Sequence, residues 1–207
     1  MSLTAVYFDN INYFKGILPQ ESMDVFREEV SYIQNNFDSI KTSNHTLAGN
    51  IAREYQLDAE SIHKTETILL PYAKAYCESN KFLFGKYVDQ SKLKLESTWI
   101  NFQAKHEFNP PHNHTGVISF VIWVKIPYSS AEERKNKSVQ YSNAPLAGSF
   151  QFLYTDALGG ICPHNIHCDK SMENTLLMFP AQLKHAVFPF YTSEDYRITI
   201  SGNFAIE

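Results

Sequence analysis

The chain has 207 residues, 18 Lys and Arg against 22 Asp and Glu, and a formal net charge of −4. That length buries one sizeable core, and nothing in the mildly acidic balance argues for nucleic acid as an obligate partner. Cys77, Cys162 and Cys168 match no disulfide framework, which points to a reduced, cytoplasmic setting, and no apolar run reaches membrane length.

The N-terminus, Met-Ser-Leu-Thr-Ala-Val-Tyr-Phe-Asp, lacks the basic and apolar regions of a signal peptide. Ala5–Phe8 is expected to form a short strand. Pro19 and Glu21 open a helix on which Met23, Phe26, Val30 and Ile33 recur at helical spacing. Gly49–Tyr55 is expected as a second, short helix. Asp58 caps a longer helix with Ile62, Leu69, Ala73 and Tyr76 on one face, which Pro71 should kink or break.

From about Leu93 the apolar period changes to two. Trp99 and Phe102 mark one strand. Val117–Ile126 is apolar and β-branched, and it predicts a strand buried on both faces. Phe150, Phe152 and Tyr154 alternate along another. Leu176–Phe179 stops at Pro180, and Val187–Phe190 is a candidate interrupted by Pro189. Ile198, Ile200 and Phe204 lie on a last strand, with Gly202 at a bulge. Such a series of short strands predicts a barrel or double-sheet jelly roll. The organisation expected is one unit over 1–207, mostly helical over 1–92, with the jelly-roll core over 93–207. Between strands, 129–145 is expected to be an exposed polar loop. Residues 159–174 are expected to be a mobile loop near the pocket mouth, a polar loop first and a lid second.

Chemistry concentrates in His112, His114, His185 and Arg197. Pro110 and Pro111 favour an extended backbone, so His112 and His114 point the same way. His185 precedes a strand that an antiparallel barrel brings opposite them. Arg197, twelve residues on, offers a forked cation for a carboxylate, and Thr199 faces the same side. Two close ligands and one distant one occupy one face of a metal ion and leave the other open. Glu107 could replace His114 if the register differs, while His106 belongs to a solvated turn. Ser119 and Asn101 line the cavity or make cross-strand contacts. His45 and His63 have no chemical role. Cys162, His164, His167 and Cys168 crowd one segment, but their spacing fits no zinc pattern.

These segments together resemble a family. Trp99-Ile-Asn-Phe, Asn109-Pro-Pro-His-Asn-His-Thr-Gly-Val-Ile-Ser119, Gly148-Ser-Phe-Gln-Phe152, Met178-Phe-Pro-Ala-Gln-Leu-Lys-His185 and Tyr196-Arg-Ile-Thr-Ile-Ser-Gly-Asn203 are similar to the 2-oxoglutarate and Fe(II)-dependent oxygenases of bacteria and tailed phages. Leu47-Ala-Gly-Asn-Ile51 fits the same pattern. The resemblance implies a mainly β (α+β) fold, a double-stranded β-helix jelly roll with N-terminal helices packed outside. It implies Fe(II) on His112, His114 and His185, and 2-oxoglutarate on Arg197 assisted by Thr199. It further implies an oxygenase of hydroxylase type acting on a small molecule or an amino-acid side chain. Cytoplasm, or host cytoplasm for a phage-encoded chain, is the compartment expected, and a homodimer is allowed. Where such oxygenases usually carry Asp or Glu, two residues after the first His, this chain has His114. Two other readings stay open on the residues alone: a cupin-like three-histidine dioxygenase that does not use 2-oxoglutarate, and a non-catalytic jelly-roll protein.

Overall fold

The computed structural model describes residues 10–44, 48–84 and 88–207. The strand expected over Ala5–Phe8 and the histidine at position 45 lie outside them. Among the described residues, ten strands and four α-helices follow in the order β1 (Phe14–Ile17), α1 (Gln20–Asn35), β2 (Glu54–Gln56), α2 (Ala59–Ser79), α3 (Lys81–Phe84), β3 (Leu93–Gln103), β4 (Asn109–His112), β5 (Ile118–Lys125), α4 (Ser130–Glu133), β6 (Phe150–Thr155), β7 (Ile161–Ile166), β8 (Thr175–Pro180), β9 (Lys184–Val187) and β10 (Arg197–Ile206).

The helices form where periodicity and capping agree. Met23, Phe26, Val30 and Ile33 are the buried residues of α1. Asp58 accepts a hydrogen bond from the Ser61 amide and starts α2. Pro71 does not break α2, which runs from Ala59 to Ser79. Pro71 removes the N–H that would pair with the Thr67 carbonyl, but both residues are exposed, so water can satisfy that oxygen.

The strands build two antiparallel sheets. The major sheet has the order β1-β8-β5-β10-β3-β2 and the minor sheet the order β4-β9-β6-β7. This is the architecture of a double-stranded β-helix with helices against one sheet. Alternation along the central strands separates two cores. Phe120, Ile122 and Val124 of β5, Ile100 and Phe102 of β3, and Ile198 and Ile200 of β10 pack with Met23, Phe26, Leu69 and Tyr76 of the helices. Val121 and Trp123 of β5 turn the other way and pack with Phe150, Phe152 and Phe179 between the sheets. Strand β5 is therefore buried on both faces, as its continuous apolar run requires.

Several expectations need correction. Gly49–Tyr55 is not helical: Asn50 bridges to Phe108, and Glu54–Gln56 pairs with Trp99–Asn101 as an edge strand. Tyr55 alternates with its polar neighbours and fits a strand better than a helix face. The strand sought at Val187–Phe190 lies earlier, at Lys184–Val187, and carries His185 within it; Pro189 could not donate to a ladder. Most of 129–145 is exposed, but Glu133 is buried and accepts hydrogen bonds from the Tyr191 and Thr192 amides, both 2.8 Å. It staples the turn that leads into β10. The segment 159–174 is not a lid. Its first part is β7, paired residue by residue with β6 at the rim of the minor sheet, with Pro163 at its middle opposite Leu153.

Gly202 lies beside the bulge rather than in it, since the register of β10 against β3 shifts between Asn203 and Phe204. The need for glycine is close packing. A Cβ there would meet the Ser97 carbonyl oxygen at 2.4 Å and the Phe120 ring at 2.7 Å. Gly202→Ala is expected to destabilise by about 2 kcal/mol and to lower Tm by roughly 4–8 °C, read by thermal unfolding.

Candidate active site

The cavity between the sheets is where the singled-out side chains meet. His112 ends β4 and is the direct cross-strand partner of His185 in β9. Pro110 and Pro111 offer no N–H, and the β4–β9 register shifts between Asn109 and His112. His114 lies just beyond β4. Its backbone is pinned to the turn before β9, because its amide donates to Ala181 O at 2.9 Å and its carbonyl accepts from Gln182 Nε2 at 2.9 Å. The three rings converge, with centroids 4.3, 4.9 and 5.0 Å apart. One nitrogen from each lies within 4.8 Å of the others, a spacing from which three imidazoles can close on one metal ion.

The ring tautomers are set by the backbone. His112 Nδ1 lies 2.7 Å from Pro110 O, and His185 Nδ1 lies 3.0 Å from Leu183 O. A carbonyl can only accept, so Nδ1 carries the proton and the Nε2 lone pair is free for a ligand. Burial holds the protonated forms down. His185 is pushed to about 3 by burial and the neighbouring imidazoles, and His114 to about 4 by burial and His112. His112 is lowered by burial, against the opposing pull of the Pro110 carbonyl. All three are neutral at pH 7, the state a metal needs. The donor set holds no carboxylate. Glu107 is engaged elsewhere, accepting from the Ala52 amide at 2.9 Å and the Ala104 amide at 2.8 Å.

Arg197 opens β10 and lines the same cavity, as does Thr199 two residues on. The guanidinium is buried, with 1 % of its residue surface exposed, and no carboxylate lies within ion-pair distance of it among the described residues. Neutral oxygens satisfy its five N–H groups. Nη1 donates to Tyr128 Oη at 2.7 Å and to Gly148 O at 2.9 Å, and Nη2 donates to Phe188 O at 3.3 Å. The Nε and Nη2 pair both donate to Gln103 Oε1, the former at 3.0 Å. That pair is the fork a carboxylate takes in bidentate fashion. The cavity is narrow, with about 40 Å³ open to water-sized molecules, room for about three waters. Trp99, Val121, Trp123 and Phe179 give it apolar walls.

Sequence reasoning missed Gln103, Tyr128, Glu54 and Asn109. Trp99, Asn101 and Gln103 alternate along β3 with Ile100 and Phe102 on the other face, so polar residues at period two in an apolar strand were the available signal. Asn101 does line the cavity, and Ser119 instead donates to Asn203 Oδ1 at 2.7 Å. The four Cys and His residues of 162–168 each have a separate partner. Cys162 contacts Asp156, His164 contacts Tyr13, His167 contacts Ser149, and Cys168 contacts the Ile166 carbonyl. None of them lines the cavity. Burial raises Cys77 and Cys168 to about 11, which leaves both as unreactive thiols. His63 is exposed on α2 and takes no part in the cavity.

With this geometry in hand, the relatives are informative. A family model described as "Putative 2OG-Fe(II) oxygenase" matches residues 97–203, more than half of the chain. The protein belongs to the 2OG-Fe(II) oxygenase family and is an enzyme of that class. No protein of curated function matches it in sequence. Among solved structures, a prolyl-4-hydroxylase from Pseudomonas putida superposes with a TM-score of 0.55 at 14 % identity, over 95 % of this chain and 94 % of that one. HygX from Streptomyces hygroscopicus, crystallised with nickel, 2-oxoglutarate and hygromycin B, gives 0.58 at 10 % identity, over 95 % and 83 %. The α-ketoglutarate-dependent epimerase SnoN gives 0.59 at 10 % identity, over 95 % and 77 %. At these identities the likeness establishes the fold alone. No helix among the described residues is long and apolar enough to cross a membrane.

One titration stands apart from the histidines. Burial and the Glu107 charge raise Glu54 from its ordinary 4.5 to about 7. The folded state then holds this proton more tightly than the unfolded chain, so stability falls as pH rises from 4.5 to 7. The depressed histidines act in the opposite sense over an overlapping window. The difference between the natural chain and Glu54→Gln isolates the carboxylate. The variant is expected to gain relative stability across pH 4.5–7, on the order of 3 kcal/mol in full, measured by denaturant unfolding at each pH.

Proposed function

We propose that His112, His114 and His185 hold Fe(II), that Arg197 with Thr199 holds 2-oxoglutarate, and that the enzyme hydroxylates a C–H bond of a small molecule or an amino-acid side chain. The observation that carries this reading is a buried guanidinium without an acidic partner among the described residues, facing the cavity on which three neutral imidazoles converge. A desolvated cation of this kind is best matched by an anion that arrives with the ligand.

When bound, metal and co-substrate would supply the oxidising chemistry with O2: one oxygen atom enters succinate as 2-oxoglutarate loses CO2, and the other enters the C–H bond of the substrate. The chain supplies position and dryness. Its Nδ1–H bonds to backbone carbonyls fix the orientation of His112 and His185. The carboxylate takes the Nε and Nη2 fork of Arg197, displacing the single oxygen of Gln103. Tyr128 and Gly148 keep the other side of the guanidinium in place. Gly148 needs its positive φ of 69°, and a Cβ there would lie 2.6 Å from the Tyr128 ring. The Trp99, Trp123 and Phe179 walls exclude water from the reacting centre.

The absence of a carboxylate from the donor set favours one other reading, a three-histidine dioxygenase working without 2-oxoglutarate. Arg197 separates the two, because such an enzyme has no use for a carboxylate clamp in the cavity. With Fe(II) and ascorbate, the natural chain is expected to convert 2-oxoglutarate to succinate; no succinate under any metal refutes the oxygenase reading. Arg197→Lys is expected to weaken 2-oxoglutarate binding by about tenfold or more, since a point charge cannot replace the fork; unchanged affinity in that variant removes Arg197 from the co-substrate site. His114→Asp is expected to bind Fe(II) yet form less succinate than the natural chain, and greater turnover by the variant would show that the three-imidazole set is not the working one.

A further inference from the structure

Three acceptor oxygens near one wall of the cavity have no partner: Glu54 Oε2, Asn101 Oδ1 and Asn109 Oδ1, the complete set of such buried side-chain atoms among the described residues. Each unsatisfied buried acceptor costs about 1–3 kcal/mol, and nothing in the fold requires three together. Glu54 and Asn101 are 1 % and 6 % exposed and are cross-strand partners, so their side chains share the cavity face of the major sheet. Asn101 makes a single side-chain bond, 3.3 Å to Thr199 Oγ1, and its other end is free. Asn101 and Asn109 both line the cavity, while Glu54 lies behind them, outside its lining. Asn109 Oδ1 and Glu54 Oε1 flank the space over Gly49, where a Cβ would lie 1.8 and 3.3 Å from them. Glu54 has no basic partner among the described residues, because the adjacent Arg53 lies over the Phe37 and Tyr196 rings.

We propose that Glu54, Asn101 and Asn109 form the primary-substrate subsite, and that it takes a primary ammonium group carried on a slender aliphatic stem. An ammonium brings three N–H donors and one positive charge. That matches three unpaired acceptors, one of them a carboxylate. A hydroxyl would bring a single donor and no charge to the carboxylate, and a planar guanidinium holds its donors in a fixed fork rather than turning them to three separate acceptors. The subsite deepens the oxygenase reading and rests on it: holding the ammonium at this wall sets which carbon of the stem faces the three histidines.

The test is calorimetric titration of n-butylamine into the Zn(II)-loaded protein, with 2-oxoglutarate titrated separately in the same way. Saturable butylamine binding is expected, weakened about tenfold or more by Glu54→Gln and by Gly49→Ala, which drives a methyl group onto the Asn109 amide. Tetramethylammonium, which has the charge without N–H donors, and 1-butanol are expected not to bind. A lysine peptide, acetyl-Gly-Lys-Gly-amide, distinguishes the sources: tighter binding than butylamine assigns a side-chain substrate, weaker binding a free amine. No butylamine binding, equal binding of tetramethylammonium, or affinity unchanged in both variants overturns the subsite. Butylamine binding without 2-oxoglutarate binding overturns the oxygenase reading and leaves the subsite standing.

Discussion

Everything in the molecule depends on the two faces of β10 and its neighbours having different partners. Strand β10 sits between β3 and β5 at the centre of the major sheet. Ile198, Ile200 and Phe204 face the helices, while Arg197, Thr199 and Ser201 face the cavity. A shift of one residue would put a guanidinium into the helix-side core and an isoleucine into the cavity. The register is held on both sides by apolar burial, and Gly202 lets β3 and Phe120 approach the strand closely. Fold and cavity chemistry therefore share one constraint, which is the parity of a strand.

Upon that frame the cavity is electrically uneven. Three imidazoles are kept neutral by desolvation. A buried guanidinium has all its hydrogen bonds to neutral oxygens. A carboxyl group on the same sheet face, two strands from β10, is raised to about 7 by burial and Glu107, and has neither a counter-ion among the described residues nor a full set of hydrogen bonds. Hydrophobic packing alone explains none of these placements, and each carries a free-energy cost that the surrounding aromatic core must offset.

Much of this was legible in the sequence. The periods of 3.6 and 2 placed α1, α2, β3, β5, β6 and β8. The Pro110-Pro111 pair fixed the extended approach to His112, and spacing together with parity brought His112, His114, His185 and Arg197 into one group. The failures have local causes. Glu54–Gln56 is a three-residue edge strand, too short for any period to show, and its pairing with Trp99–Asn101 is a long-range property. Residues 159–174 carry Gly and polar side chains that signal a loop, yet β6 supplies a ladder that orders them. Tyr128 and Glu133 act through contacts with residues 20 and about 60 positions away in sequence. No local pattern marks such contacts.

The outer strand of the minor sheet has a further consequence, for how the molecule meets others. Among the described residues, strand β7 leaves one row of backbone groups unpaired; Ile161 at its start is 78 % exposed and Leu158 before it 96 %. An edge strand invites a strand from another molecule to add to the sheet and to continue into a fibre. Pro163, at the middle of β7, has no N–H to offer and interrupts that row. A residue with no part in the chemistry thus shortens the run of N–H donors that an added strand, and a cross-β aggregate grown from it, would need.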